Sequence, residues 1–129
     1  MSFPSPAADH EENVLHLDDL IVHPAATYFI TMTGVAMEPT IHHGDILVVD
    51  RALMPLDFQA VVVVIEEQFR VRRIIRGDES SLLKADNPEF PELALENDAF
   101  DIWGVITYAI HKLQAPTRRI RRRRKGIYT

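Results

Sequence analysis

Six consecutive residues, Ala60 to Ile65, are aliphatic, and four of them are valine. A run this short and this rich in β-branched side chains suits a buried strand, where the branched Cβ packs well, and is too short for a buried helix. The residues that follow reinforce the reading. Glu66-Glu67-Gln68 has the length of a hairpin loop, and Phe69-Arg70-Val71-Arg72-Arg73-Ile74-Ile75 alternates with a two-residue period over its first half. Further strands are expected at Tyr28-Phe29-Ile30-Thr31-Met32, at Ile46-Leu47-Val48-Val49 after the turn pair Gly44-Asp45, at Leu82-Leu83-Lys84, and at Ile102-Trp103-Gly104-Val105-Ile106-Thr107-Tyr108. No long amphipathic helix and no internal repeat interrupt this pattern. One helical turn is expected within residues 34–40, and a short turn or edge segment from Val14 to Val22, before His23-Pro24 turns the backbone extended. The pattern predicts a mainly β fold.

The chain has 129 residues, 47% of them hydrophobic, enough for one domain with a packed core. Its net charge of -5 conceals a division: all 19 acidic residues precede position 111, while eight of the 14 basic residues lie from Lys112 onward. The body to Ile110 therefore carries 6 minus 19, or -13, and the remainder +8. Three segments are expected: an extended arm over 1–14, kept from helix by Pro4 and Pro6; a folded domain over 15–113; and a basic, disordered tail over 114–129. An acidic body repels duplex DNA. Any DNA contact would fall to the tail, through Arg118, Arg119, Arg121, Arg122, Arg123, Arg124 and Lys125; a solvated tail, or one paired with an acidic body, is the alternative. There is no cysteine, which excludes disulfides, thiolate zinc sites and cysteine nucleophiles and suits a reducing cytosol. His42-His43 has no evident third ligand and reads as polar loop, and His23 as structural, so no metal or cofactor is expected. The longest apolar run falls far short of the roughly 18 residues of a membrane span, and the first ten residues lack the basic start of a signal peptide.

The informative stretch is Thr33-Gly34-Val35-Ala36-Met37-Glu38-Pro39-Thr40-Ile41-His42-His43-Gly44-Asp45. It resembles the nucleophile segment of the LexA/UmuD family of self-cleaving serine peptidases, in which a small residue and glycine precede the serine, methionine follows it, and a Gly-Asp turn leads into a strand. Phe69-Arg70-Val71-Arg72-Arg73 resembles the family's second catalytic strand, where a lysine begins a paired basic step. Leu82-Leu83 with Asn87-Pro88-Glu89-Phe90-Pro91, and Phe100-Asp101-Ile102-Trp103-Gly104-Val105-Ile106, are similar to its later loop and closing strand. Phe3-Pro4-Ser5-Pro6 and His23-Pro24-Ala25-Ala26-Thr27-Tyr28-Phe29 favour the UmuD branch. The resemblance covers roughly residues 3 to 112.

Both catalytic positions depart from the pattern. Alanine at 36 has no hydroxyl with which to attack. In the family, lysine loses its proton to serve as general base; Arg72 stays protonated under ordinary conditions. Arg72 is expected either in the old lysine site, beside an acidic neighbour, or on ordinary surface. Adjacent strand residues face opposite ways, so only one of Arg72 and Arg73 belongs to the cleft. The resemblance implies a bent sheet or partial barrel with one short helical turn. It also implies a homodimer in the cytoplasm, without small-molecule substrate, that binds a UmuC-like Y-family polymerase and the RecA filament on single-stranded DNA during the SOS response. The start at Met1-Ser2-Phe3 resembles the family's processed short form, which needs no self-cleavage. Other readings are a serine autopeptidase inactivated by engineering, a decoy that forms mixed dimers with active relatives, and a tail-driven DNA-binding factor.

Overall fold

A computed structural model describes residues 14–114. Seven strands form one antiparallel sheet: β1 (Thr27–Thr31), β2 (Ile46–Asp50), β3 (Ala60–Ile65), β4 (Gln68–Arg76), β5 (Ser80–Lys84), β6 (Leu93–Glu96) and β7 (Asp101–Ile110). Their order across the sheet is β1-β2-β7-β3-β4-β5-β6. Helical structure among the described residues is limited to two 3-10 turns, Leu17–Leu20 and Pro24–Ala26. Proline at the start of the second turn allows it directly after His23, whose own backbone stays outside the helical region at φ -121° and ψ 84°. The extended segment expected after His23 is thus only one residue long.

The valine run is buried on both faces, and its alternation divides the core in two. Val62 joins Met32, Met37, Ile41, Leu47 and Val49 on one side. Val61 and Val63 join Ile74, Leu83, Phe100 and Val105 on the other. The β3–β4 hairpin closes with Glu66 at φ 51° and Glu67 at φ 68°, the two positive values that a primed two-residue turn requires and that match the twist of its strands.

The sheet is open but curled. Trp103 on β7 packs against Tyr28 on β1, at 5.4 Å between ring centroids, and against Phe69 on β4 at 5.3 Å. Each contact skips an intervening strand, which a flat sheet could not allow. Two register shifts against β7, at Val48/Val49 on β2 and Val62/Val63 on β3, supply the local bends. As a result, β1 and β4 face a common cleft. The expected bent sheet or partial barrel is therefore observed, with one additional strand, β6.

Candidate functional site

The chain leaves β1 through Met32, which is held on both sides. Its N–H donates to the Asp45 carbonyl at 2.8 Å, and its carbonyl accepts from Gly44 at 2.8 Å. Gly34 and Gly44 both stand at φ +91°, a conformation costly for any side chain, and they bracket the expected helical turn. That turn is a single loop of backbone bonds, with the Ile41 N–H donating to Met37 at 2.9 Å, and it seats Met37 fully in the core. Ala36, the residue before it, lines a cavity of about 390 Å³ together with Ile30, Thr31, Leu47, Phe69, Val71, Arg72 and Phe90. The two positions singled out in the sequence, 36 residues apart, one on a loop and one on a strand, thus meet in one cleft.

Arg72 is only 6% exposed. Its guanidinium lies 5.7 Å from the centre of the Phe90 ring, and its Nη1 donates to the Val71 carbonyl at 2.8 Å. Nε is buried without an acceptor among the described residues. Burial, and to a smaller degree the neighbouring Arg70, lowers the Arg72 pKa, but an arginine begins so high that it keeps its charge. The acidic neighbour expected beside Arg72 is absent among the described residues; Arg73 has it instead. Arg73 Nε and Nη2 donate to the two Asp86 carboxylate oxygens at 2.9 and 3.0 Å, and Nη1 donates to the Phe58 carbonyl at 3.0 Å. Strand alternation explains the exchange, because the two side chains leave β4 on opposite faces and only Arg73 reaches Asp86, while Arg72 meets Phe90. Burial, the largest single influence, tends to raise the Asp86 pKa, but the hydrogen bonds from Arg73 and Thr40 and the Arg73 charge together outweigh it and hold the pKa below the usual value.

Asp86 in turn positions Asn87. The Asn87 N–H donates to the Ala36 carbonyl at 3.0 Å, its Nδ2 to the Val35 carbonyl at 3.0 Å, and its Oδ1 accepts from Glu89 at 3.0 Å. One asparagine thereby fastens the segment at position 36 to the loop that presents Phe90. Sequence reasoning marked this loop by resemblance but assigned it no task; Asn-Pro is the local turn signal, while its partners lie about fifty positions away.

Two further carboxylates anchor β2. Asp45, 2% exposed, bonds His111 Nδ1 at 2.6 Å and accepts from the His42 backbone at 2.8 Å. Asp50, 3% exposed, bonds His23 Nδ1 at 2.7 Å and accepts from Ala52. In both, burial pushes the pKa up, and the hydrogen bonds more than reverse it, so both lie below the ordinary carboxylate value. The expectation that His23 is structural agrees with this geometry. His42 and His43 do not converge: His42 stacks on His111 at 4.8 Å, while His43 Nδ1 accepts from Gly34 N–H at 2.9 Å. No cluster of metal-ligating residues occurs among the described residues. The arm at residues 1–13 and the basic run from Arg118 to Lys125 lie outside the described residues.

The Peptidase S24-like family model matches residues 1–107. Protein MucA of Salmonella typhimurium is 39% identical over 112 residues, covering 84% of this chain and 76% of that protein. Protein ImpA of Shigella flexneri is 39% identical over 113 residues, covering 85% and 77%. Protein SamA of Salmonella typhimurium is 38% identical over 115 residues, covering 88% and 80%. No helix among the described residues is long and apolar enough to cross a membrane.

Proposed function

We propose, for a chain that belongs to the Peptidase S24-like family as one of its UmuD-like members, a non-catalytic role: an accessory subunit of an error-prone Y-family translesion polymerase, acting in the cytoplasm during the SOS response. The observation that carries this reading is the pairing of Ala36 and Arg72 in one cleft. A self-cleaving member needs a hydroxyl at the first position and a base that can lose its proton at the second. Alanine offers no nucleophile, and arginine remains charged. The fold around them is intact, which suits a protein kept for binding.

Its partners are a UmuC-like polymerase and the RecA filament on single-stranded DNA, and it works as a homodimer. One face of β1, β2 and β7 supports self-association. By register Phe29, Val48 and Tyr108 stand side by side, as do Ile46 and Ile110; Phe29 and Tyr108 are about half exposed, and Ile46 and Ile110 just over a third. Such a grouped apolar face is the usual mark of an interface.

Co-purification with a UmuC-like polymerase, and restoration of damage-induced mutation in cells lacking their own UmuD-like protein, are the expected results. Failure of both would overturn the accessory role. Release of a fragment from the unaltered protein by self-cleavage would overturn the non-catalytic one.

A further inference from the structure

The cleft has a property that a cleavage site would not need: a buried positive charge with no anionic partner among the described residues. Arg72 is 6% exposed, and among the described residues its single hydrogen bond goes to the preceding carbonyl and its Nε has no acceptor. A buried cation in this state is costly, and a negative partner relieves the cost. Asp86 is engaged by Arg73.

The backbone around the guanidinium is also unfilled. β1 pairs only with β2, and β5 pairs with β4 only from Arg73 to Arg76. The first half of β4 therefore has β3 on one side and no strand among the described residues on the other. In a hairpin with a two-residue turn the closing pair, Ile65 and Gln68, is hydrogen-bonded, so Phe69 and Val71 turn their N–H and C=O groups outward. The Arg72 side chain confirms the direction by reaching the Val71 carbonyl from that side. Thr31 is placed likewise on β1, since Met32 beside it spends its backbone groups on the Gly44-Asp45 turn. Two open strand edges, apolar walls from Ile30, Leu47 and Phe90, and one unpaired cation thus meet in the same cavity.

We propose that this cleft is a receptor for an extended peptide segment of another protein, selected by a carboxylate side chain that pairs with Arg72 while the segment's backbone joins an open strand edge. A polyanion is a poorer occupant, because the body to Ile110 carries a charge of -13 and would repel it, whereas a single carboxylate can be neutralised locally by Arg72 with Arg70 nearby. This rests on the reading that the cleft binds without cleaving.

The test uses the full chain and two fluorescein-labelled hexapeptides, Val-Thr-Glu-Val-Thr-Ala and the same peptide with glutamine for glutamate, read by fluorescence anisotropy. The glutamate peptide is expected to bind at least about tenfold more tightly, a difference that Arg72→Met abolishes and Arg72→Lys partly keeps. Equal binding of the two peptides overturns the proposal without reference to any variant, so a folding defect cannot mask the answer. An Arg72-dependent preference for a short single-stranded oligonucleotide over the glutamate peptide also overturns it. A tenfold gain in peptide affinity on replacing Asp9, Glu11 and Glu12 by their amides would assign the seat to the chain's own arm and reject a partner in trans. Mass spectrometry of the incubated peptide separates the two readings: a cleavage product defeats the non-catalytic role, whereas the glutamate preference is measured independently of it.

Discussion

Arg72 and Arg73 are neighbours in the chain and opposites in their surroundings. Arg73 is fully engaged, by two bonds to Asp86 and one to the Phe58 carbonyl, and through Asp86 it steadies the loop that Asn87 fastens to Ala36. Arg72, one residue earlier, lines the cleft with a buried nitrogen unmatched among the described residues. The same side-chain type thus serves as structural clamp on one side of β4 and as an unsatisfied charge on the other. Stability should depend on the first and be indifferent or averse to the second.

Acid should produce the largest effect, because it strikes three carboxylates together. Asp45, Asp50 and Asp86 all have pKa values lowered in the folded state. Their contribution is complete above the unfolded carboxylate value, about 3.9, and is lost as pH falls through the lower folded values. Urea midpoints should stay level down to about pH 5 and drop steeply below about pH 4. A midpoint unchanged at pH 3 would contradict the clamp. Next in size, Asp86→Ala should cost about 2–3 kcal/mol in chemical denaturation, since it strands a half-buried Arg73. Asn87→Ala should cost about 1–2 kcal/mol by the same measurement and increase amide exchange at residue 87, whose N–H donates to the Ala36 carbonyl. The smallest change is expected from Arg72→Met, which should leave stability within about 1 kcal/mol of the original or raise it. A loss there as large as that of Asp86→Ala would erase the distinction between the two arginines.

Most of the fold was legible because each strand carries its own local signal. The valine run, the Gly44-Asp45 turn and the Phe69-Arg70-Val71 alternation all fall where β3, β2 and β4 lie. β6 was not, since Leu-Ala-Leu-Glu is four residues long and follows Pro91; it becomes a strand only by pairing with β5. β7 runs on to Ile110 for a similar reason, because β2 extends its ladder at that end. At the site, it was the resemblance of two segments to the LexA/UmuD family that singled out Ala36 and Arg72. Which arginine would find a carboxylate was not readable, because Asp86 is set by a loop that the sequence places but does not orient.

The two short tethers at the ends of β2 have a mechanical consequence. His23, just before the first strand of the sheet, is tied to Asp50 at one end of β2, and His111, just after the last, is tied to Asp45 at the other. A pull on either terminus reaches a buried carboxylate at one end of β2, the strand next to the edge, before it can peel that edge. Force applied through the chain ends would load the β2 ladders in shear, the stiff direction for parallel rows of backbone bonds, so a partner tugging on arm or tail would move the domain as a body rather than unzip it.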